Sequence, residues 1–205
     1  MKKWTAFSLA LTLLLTAACA LAEINARDVM GAVENGVYRN EYAGFGFSCE
    51  DWQIMTEEEI ASAYDLSEGF FTEEFSKAME QRDSLCFLMA KAAEGKDSIV
   101  GTVTNERTAA VLYHTLGFRT MYRMEAGKLK RNLESYGITV VSMDISTVTV
   151  DGREMPCLRI EETLDGASAY LIGVSLIKGQ YRIDIGASSA DFEGAEAILA
   201  QFFWL

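Results

Sequence analysis

The chain has 205 residues, half of them hydrophobic, and its 18 basic and 30 acidic residues give a net charge of −12. This excess of acid argues against a nucleic-acid partner or an anionic membrane partner, because either would require a basic patch that displaces counterions. Calcium is not indicated, since Asp144, Asp151 and Asp165 are too dispersed to form a binding loop. We expect no cofactor.

The first 22 residues have the pattern of a secretory signal peptide. Two lysines supply a basic start, residues 7–15 supply a short apolar core, and Ala20 and Ala22 form the small-x-small site before Glu23. The apolar core is shorter than the ~20 residues that span a bilayer. We therefore expect cleavage before Glu23 and an extracytoplasmic protein, either secreted or held at the cell surface.

Cys19 leaves a second processing route open. Residues 15–19, Leu-Thr-Ala-Ala-Cys, resemble a bacterial lipobox, in which the cysteine is lipidated and becomes the new N-terminus. Thr16 stands where that motif usually has a larger aliphatic residue. In this alternative the only membrane contact is a lipid anchor at Cys19, which tethers the protein without spanning the bilayer.

The remainder of the chain is the size of one domain. Removal of 22 of the 205 residues leaves 183, enough to bury a substantial core. It takes the basic residues from 18 to 16 against 30 acidic ones, so the net charge becomes −14. Residues 23–36 look like a short leader, and we expect a single domain over residues 37–205.

Three cysteines remain after cleavage. Cys49, Cys86 and Cys157 have apolar neighbours, which predicts small core residues, and an odd number permits at most one disulfide between any two of them. Their spacing fits no zinc site, and His114 is the only histidine that could contribute to one.

Aromatic residues at alternate positions open the domain. Tyr38, Phe45 and Phe47 share one face, with small residues on the other, so residues 38–49 predict a strand pair bent at a glycine. We expect residues 52–55 to extend this pair.

Two short helices follow. Thr56 and Glu59 have the spacing of a capping box and predict a helix through about Leu66. A second helix is expected after Thr72. The residues expected to face the core are Ile60, Ala63, Tyr64, Phe75, Ala78 and Met79.

The middle of the chain predicts two strands and two helices. Residues 85–93 and 99–104 are apolar segments joined by a Glu-Gly-Lys-Asp turn. Residues 106–116 and 125–136 are helical candidates, and each ends at a glycine in the position that a left-handed cap prefers. These glycines are Gly117 and Gly137.

Glycine-containing turns divide the C-terminal third into four strands of an antiparallel meander. The predicted strands are residues 144–150, 153–164, 167–178 and 180–188. Strand 167–178 is apolar on both faces, so its sheet must be covered on both sides. In the last strand Arg182 is on the polar face, where Arg182→Ala is expected to cost no more than about 0.5 kcal/mol.

A helix over residues 191–203 closes the chain and packs on the meander. The predicted fold class is therefore α+β, with a central antiparallel sheet, a C-terminal four-stranded meander and helices on both faces, an α-β-α sandwich.

The order of these elements resembles a known architecture. The run Tyr38-x-Asn40-x-x-x-Gly44-Phe45-x-Phe47 leads to Trp52, and a helix, two strands, further helices, the meander and a closing helix follow. This arrangement resembles the PsbP/Mog-like fold, and more closely its uncharacterised exported and lipoprotein members from Gram-positive bacteria. The proline that often precedes the tryptophan in that pattern is absent here. The resemblance implies a non-catalytic domain, since members of the fold bind a photosystem assembly or a small GTPase.

Residues 105–119 look like the last helix of GNAT acetyltransferases, in which Tyr113 would act as the general acid. Asn105 is one residue too far from Tyr113 for that motif, and no glycine-rich loop precedes it to bind the pyrophosphate of acetyl-CoA. We therefore expect Tyr113 to be structural and acetyl-CoA not to bind.

Two other catalytic patterns fail on strand geometry. Ser175 and Lys178 match S-x-x-K, and Glu161 and Glu162 could suggest a glycosidase pair. On a strand, positions one or three apart point to opposite faces, so neither pair can act together. No G-x-S-x-G elbow accompanies His114. We therefore expect no catalytic, cofactor-binding or metal-binding residue.

These patterns favour an exported non-catalytic domain that binds a protein, a peptide or a component of the cell envelope, in an oligomeric state left open. The alternative is an extracellular hydrolase or transferase, including a remote acetyltransferase. A deep pocket with convergent acidic, tyrosine or arginine side chains would favour the enzyme, and a flat apolar patch would favour the binding domain.

We expect exported material to begin at Glu23, because Ala20 and Ala22 fit the small-residue subsites of signal peptidase. N-terminal sequencing of the mature protein checks this. A blocked, acylated Cys19 at the N-terminus would contradict it and establish the lipidated form.

Overall fold

The structure is a computed structural model that describes residues 26–64, 66, 70–72, 75–80, 84–93, 97–106, 109–164 and 166–205. The strands of this part of the chain are β1 Ala32–Glu34, β2 Val37–Asn40, β3 Phe45–Ser48, β4 Trp52–Ile54, β5 Ser84–Ala92, β6 Ser98–Asn105, β7 Thr139–Val150, β8 Arg153–Leu164, β9 Ala167–Lys178, β10 Tyr181–Ser189 and β11 Phe202–Trp204. The α-helices are α1 Glu57–Tyr64, α2 Phe75–Glu80, α3 Ala109–Leu116, α4 Phe118–Ser135 and α5 Phe192–Leu199. Within the described residues, no helix combines the length and apolarity needed to cross a membrane.

The strands form two antiparallel sheets. The large sheet has the order β4-β5-β6-β10-β9-β8-β7, and the small sheet has the order β1-β2-β3-β11. The predicted α+β class with a central antiparallel sheet is confirmed.

The C-terminal meander is also confirmed. β7, β8, β9 and β10 pair in succession, and β9 lies between β8 and β10, as its two apolar faces predicted. Asp151 and Gly152 join β7 to β8 with φ of 46° and 74°. Positive φ at both positions is what a two-residue turn of type I′ requires. β7 begins at Thr139, before the predicted start at 144.

One face of the large sheet packs against the small sheet and α5. Ile183 and Ile185 of β10 are at most 2% exposed and belong to one core with the aromatic residues of the small sheet. Phe45 lies 6.3 Å from Phe87 of β5, measured between ring centroids. Phe87 in turn covers Gly101, where a Cβ would come within 2.6 Å of the ring, so only glycine fits beneath it.

Helices α3 and α4 cover the opposite face. Leu129 and Leu133 of α4 pack against a second apolar cluster formed by Val140, Leu158 and Ile160 of the meander. Helices therefore lie on both faces of the large sheet, which confirms the predicted α-β-α arrangement.

Tyr38 and Asn40 hold the segment before β2 in the core. The hydroxyl of Tyr38 donates to the carbonyl of Met30 at 2.6 Å, and Nδ2 of Asn40 donates to the carbonyl of Val29 at 2.8 Å. β1 then pairs with β2. Ordered structure therefore begins before β2, and residues 26–36 of the expected leader belong to the fold.

Two expected extensions are wrong. Residues 52–54 form β4 and pair with β5 in the large sheet, so they do not prolong the β2–β3 hairpin. Helix α5 ends at Leu199 and does not reach 203, because β11 pairs with β3 and stacks Phe202 on Phe47 with ring centroids 5.0 Å apart.

The capping box of α1 is confirmed. The backbone N–H of Thr56 donates to Oε2 of Glu59 at 2.7 Å, and the N–H of Glu59 donates to Oγ1 of Thr56 at 3.2 Å. Ile60 is buried as expected, whereas Ala63 and Tyr64 are exposed, because α1 contacts the core through Ile60 and the partly buried Ala61. The apolar face predicted for α2 is confirmed, and its buried residues are Phe75, Ala78 and Met79.

The three cysteines are free and buried, as the sequence predicted for small core residues. Burial raises the pKa of the thiols of Cys49, Cys86 and Cys157. These thiols therefore stay protonated at neutral pH and are poor nucleophiles.

Aspartate substitutions on neighbouring residues of β9 test the two-sided burial of the sheet. Ile172→Asp should destabilise the protein by about 4 kcal/mol, because it buries an unpaired carboxylate in the main core. Leu171→Asp points to the other face and should cost about 1–3 kcal/mol, since Leu171 is half-buried there. Urea denaturation measures both, with exposed Ser168→Asp on the same strand as the control. Wild-type stability of either variant would contradict a sheet covered on both sides.

Candidate functional site

A cavity of about 580 Å³ lies between α4 and the face of the large sheet that α4 covers. This volume is typical of small-molecule sites. One part of its wall is apolar and is formed by Val100, Leu129, Leu133, Leu158, Ile160 and Leu171. The other part is polar and includes Glu106, Tyr122, Glu125, Lys128, Ser175, Arg182 and Asp184.

Two glycines form the floor of this cavity. Gly173 of β9 and Gly186 of β10 are register partners, and Gly173 also pairs with Leu158 of β8. A Cβ on Gly173 would meet no atom within 4 Å, so the space above it is open. The cavity exists in part because these adjacent positions carry no side chain.

Arg182 is the centre of the polar part. Its Nη1 lies 2.7 Å from Oε1 of Glu106 and 3.0 Å from Oε2 of Glu125, and its Nε donates to Oδ2 of Asp184 at 2.9 Å. The side chain of Arg182 is 19% exposed. Three carboxylates, from the residue that follows β6, from α4 and from β10, thus share one guanidinium in a partly buried cluster.

Hydroxyl groups connect the carboxylates of this cluster to the helices. Tyr113 of α3 donates to Oε1 of Glu125 at 2.6 Å and accepts a hydrogen bond from Nη1 of Arg182. Tyr122 of α4 donates to Oγ of Ser175 at 2.9 Å, and Ser175 donates to Oδ1 of Asp184 at 2.5 Å. The network therefore joins α3 and α4 to β9 and β10.

Burial sets the protonation behaviour of the cluster. It raises the pKa of the Asp184 carboxyl above its ordinary value, although Arg182 opposes the shift. The same balance raises the pKa of Glu106, and neighbouring carboxylates add to it. Burial also raises the pKa of the Tyr113 and Tyr122 hydroxyls, so both remain hydrogen-bond donors at neutral pH.

Two glycines with positive φ define where the helices that carry Tyr113 and Glu125 end. Gly117, with φ of 74°, ends α3 and directly precedes α4, so the second helix begins at Phe118 and not at the predicted 125. At the other end, Gly137 has φ of 81° and its N–H donates to the carbonyl of Glu134 at 3.0 Å, as in a Schellman cap.

The cluster offers acids and donors without an activated nucleophile. Ser175 is 4% exposed and its hydroxyl is held between Tyr122 and Asp184. His114 is exposed on α3. Across the described residues, no group of three histidine, cysteine or acidic side chains is placed to hold a metal ion. The arrangement is suited to binding a cationic or hydrogen-bond-donating group beside an apolar surface.

The predicted processing residues Cys19, Ala20, Ala22 and Glu23 lie outside the described residues. Of the motifs tested on the sequence, the helix of Tyr113 and the serine of the S-x-x-K match, Ser175, contribute to the cavity cluster. The hydroxyl of Tyr113 is occupied by Glu125 and Arg182.

The two pairs of residues that resembled catalytic motifs on strands behave as the alternation of side chains between the two faces of a strand requires. Ser175 faces Asp184, whereas Nζ of Lys178 donates to the carbonyl of Tyr42 on the other side of the sheet. Glu161 accepts from the hydroxyl of Tyr170.

Sequence reasoning missed the cluster and misjudged Arg182. Its polar strand face is not solvated, because α4 covers it, so the expectation that Arg182→Ala would be nearly neutral is wrong. A signal was present: Arg182 and Asp184 alternate with an apolar stripe, while the neighbouring strand is apolar on both faces. Charged residues on a covered face need buried partners.

No protein-family model matches the chain, and no curated protein sequence does. Among solved structures it is similar to the solution structure of cyanobacterial PsbP (CyanoP) from Synechocystis sp. PCC 6803, with a TM-score of 0.50 and 12% identity. The match covers 85% of this chain and 96% of that chain. This likeness shows a PsbP-like fold, as the resemblance in the order of the elements implied.

The cluster predicts the direction of a pH effect on stability. From about pH 4 upward the unfolded chain releases carboxyl protons that folded Asp184 and Glu106 retain, so the free energy of unfolding falls as pH rises through their raised pKa values. Asp184→Asn should flatten this fall, measured by urea denaturation across the acidic and neutral range. Asp144→Asn, which removes an exposed carboxylate of β7, should not. An unchanged slope in Asp184→Asn would contradict a raised pKa.

Proposed function

We propose that the chain is an exported, non-catalytic binding domain, and that an amphiphilic component of the cell envelope with a cationic head group occupies the cavity under α4. The observation that carries this proposal is the cavity itself, whose apolar wall ends at three carboxylates around Arg182. Export is supported by the signal-peptide pattern of residues 1–22.

The charge balance at the polar end selects the sign of the head group. The guanidinium of Arg182 is already bound by Glu106, Glu125 and Asp184, so an anionic head would have to displace one carboxylate and face the other two. Lys128 of α4 also lines the cavity, so two cations face three carboxylates there. A cationic head group compensates the remaining negative charge, and the attraction is strong because the site is partly shielded from water.

The apolar wall selects the rest of the ligand. Leu129 and Leu133 of α4 face Leu158, Ile160 and Leu171 of the sheet across the cavity. A hydrocarbon segment placed there is removed from water, which is worth about 0.8 kcal/mol for each buried methylene group. An amine with an alkyl chain therefore combines both halves of the site.

A second candidate function is an extracytoplasmic hydrolase or transferase. It is favoured by the convergence of Glu106, Asp184 and Arg182 on one cavity, with raised pKa values for both acids. The binding function is preferred because Ser175 is buried and the hydroxyl of Tyr113 is held by two partners, so neither is presented to a substrate.

Three probes with the same chain length test the proposed function: dodecylamine, dodecanol and dodecanoate. They are titrated by calorimetry below the micelle concentrations of the two charged probes and below the solubility limit of dodecanol. Dodecylamine should bind most tightly and dodecanoate least. Gly173→Val should weaken dodecylamine binding at least about tenfold, because its side chain fills the floor of the cavity without backbone strain. Ser168→Val, an exposed site on the same strand, is the control. Equal affinity for dodecanoate, or undiminished binding by Gly173→Val, would contradict the proposal.

Analysis of reaction products distinguishes the enzyme alternative from the proposed binding function. With acetyl-CoA and dodecylamine, an acetyltransferase would break the thioester, form the amide and release the free thiol of CoA. We expect no heat of acetyl-CoA binding and quantitative recovery of both compounds by mass spectrometry. Turnover that Tyr113→Phe abolishes would establish the enzyme.

A further inference from the structure

The outward side of α3 and α4 exposes aliphatic side chains. Val111, Leu112 and Leu116 of α3 are 65%, 44% and 44% exposed, and Met124 of α4 is 63% exposed. Helix α3 buries only an alanine and Tyr113. A helix that packs on one side normally turns its aliphatic residues inward. Here they face away from the domain.

The same two helices carry a local excess of positive charge in an acidic chain. Residues 109–135 contain five basic and two acidic residues, a local charge of +3 against −12 for the whole chain. The basic residues, all exposed, are Arg119, Arg123, Lys128, Lys130 and Arg131. One of the two acids, Glu125, is turned inward to Arg182.

Arg123 and Arg131 are available to an outside partner. Neither makes an ion pair with any described residue, whereas Lys130 pairs with Glu134 at 3.9 Å. Arg131 follows Met124 by two helical turns and so lies on the same stripe of α4. The outside of the helical layer therefore carries exposed aliphatic side chains, mostly on α3, beside exposed cationic side chains on α4.

Gly127 lies on this outward side, in the interior of α4. It is exposed, and a Cβ there would meet only Nη1 of Arg131, at 3.6 Å. No close internal contact among the described residues therefore requires a glycine at a position where alanine would favour the helix. A missing side chain allows the helix backbone to approach an external surface closely.

We propose that this outer surface, formed by Val111, Leu112, Leu116, Arg123 and Arg131, docks on an anionic membrane. The aliphatic side chains enter the interface and the arginines contact the phosphate groups of the lipids. The negative net charge of the whole chain argues against such a partner, but the surface that makes contact has a positive local charge. The acidic remainder is repelled by the membrane and so orients the domain.

A membrane accounts for this surface better than a protein partner. The exposed large hydrophobic side chains within α3 and α4 are aliphatic, and the exposed Tyr136 lies past the end of α4. Protein interfaces are instead enriched in tyrosine and tryptophan at their centres. Aliphatic residues beside arginines that make no ion pair with a described residue match the composition of helices that lie in the headgroup region.

Vesicle sedimentation with the mature protein tests the proposal. It should bind vesicles that contain phosphatidylglycerol, bind phosphatidylcholine vesicles much less, and be released by salt. Val111→Ser/Leu112→Ser/Leu116→Ser should lower the partition coefficient about tenfold or more, because three aliphatic side chains no longer enter the interface. Arg123→Glu/Arg131→Glu should lower it at least about tenfold, since each arginine contributes about fivefold.

Two matched controls keep the test specific. Val33→Ser/Val141→Ser removes exposed valines, and Arg39→Glu/Lys91→Glu reverses exposed charges, both outside the helical layer. Both should bind like the wild type, and every variant should keep the wild-type melting temperature because all sites are exposed. The Gly173→Val variant should also bind vesicles normally. Failure of the membrane proposal can therefore be distinguished from failure of the proposed cavity ligand.

The proposal would be overturned by absence of binding to anionic vesicles, or by binding that neither set of outer-surface substitutions weakens. It would also be overturned if sedimentation velocity showed a homodimer that the serine variant dissociates, since the aliphatic residues would then form a contact between copies of the chain.

Discussion

One arginine determines how the helical layer sits on the large sheet. Arg182 binds the carboxylates of Glu106 directly after β6, of Glu125 in α4 and of Asp184 in β10, and it donates to a hydroxyl of α3, so a single side chain fixes the positions of four elements. Partly buried charges are costly when they are unpaired, and the carboxylates of Glu106 and Asp184 need this cation in order to ionise inside the domain. The geometry of the cluster thereby holds the helices at a set distance from the sheet.

The cavity exists because the cluster holds the helices at this distance from the sheet. At one end the cluster keeps α4 away from the sheet, and at the floor Gly173 and Gly186 supply no side chains to fill the gap. At the other end Leu129 and Leu133 close the layer through ordinary apolar packing. Helix α4 thus presents two different faces, an inner one that borders the cavity and an outer one with Met124 and Arg131 exposed.

Local signals were sufficient for much of the fold. The capping box of Thr56 and Glu59, the Asp151-Gly152 turn and the helix-ending glycines each act within a few residues, and each formed as predicted. The strand β11 was missed because residues 202–204 continue the apolar pattern of a helix, and only pairing with a distant hairpin makes them extended.

The candidate site could not be predicted from any single segment, because it depends on the patterns of two neighbouring strands taken together. Alternation in β10 placed Arg182 and Asp184 on a polar face, and the apolar character of β9 placed a covering layer over that face. Together these observations require buried partners for both charges. Which carboxylates become these buried partners depends on how α4 crosses the sheet. That crossing is set by tertiary packing and not by sequence spacing.

Hydrogen exchange of an Arg182→Met variant tests the central role of this arginine most directly. The substitution removes the charge and keeps a side chain of similar length, so it leaves the carboxylates of the cluster without their cation. The amides of residues 109–135 should then exchange much faster, while those of β5, β6 and α5 keep most of their protection, because the helical layer detaches before the sheet opens. Uniform loss of protection over the whole domain, or unchanged exchange in α3 and α4, would contradict the account.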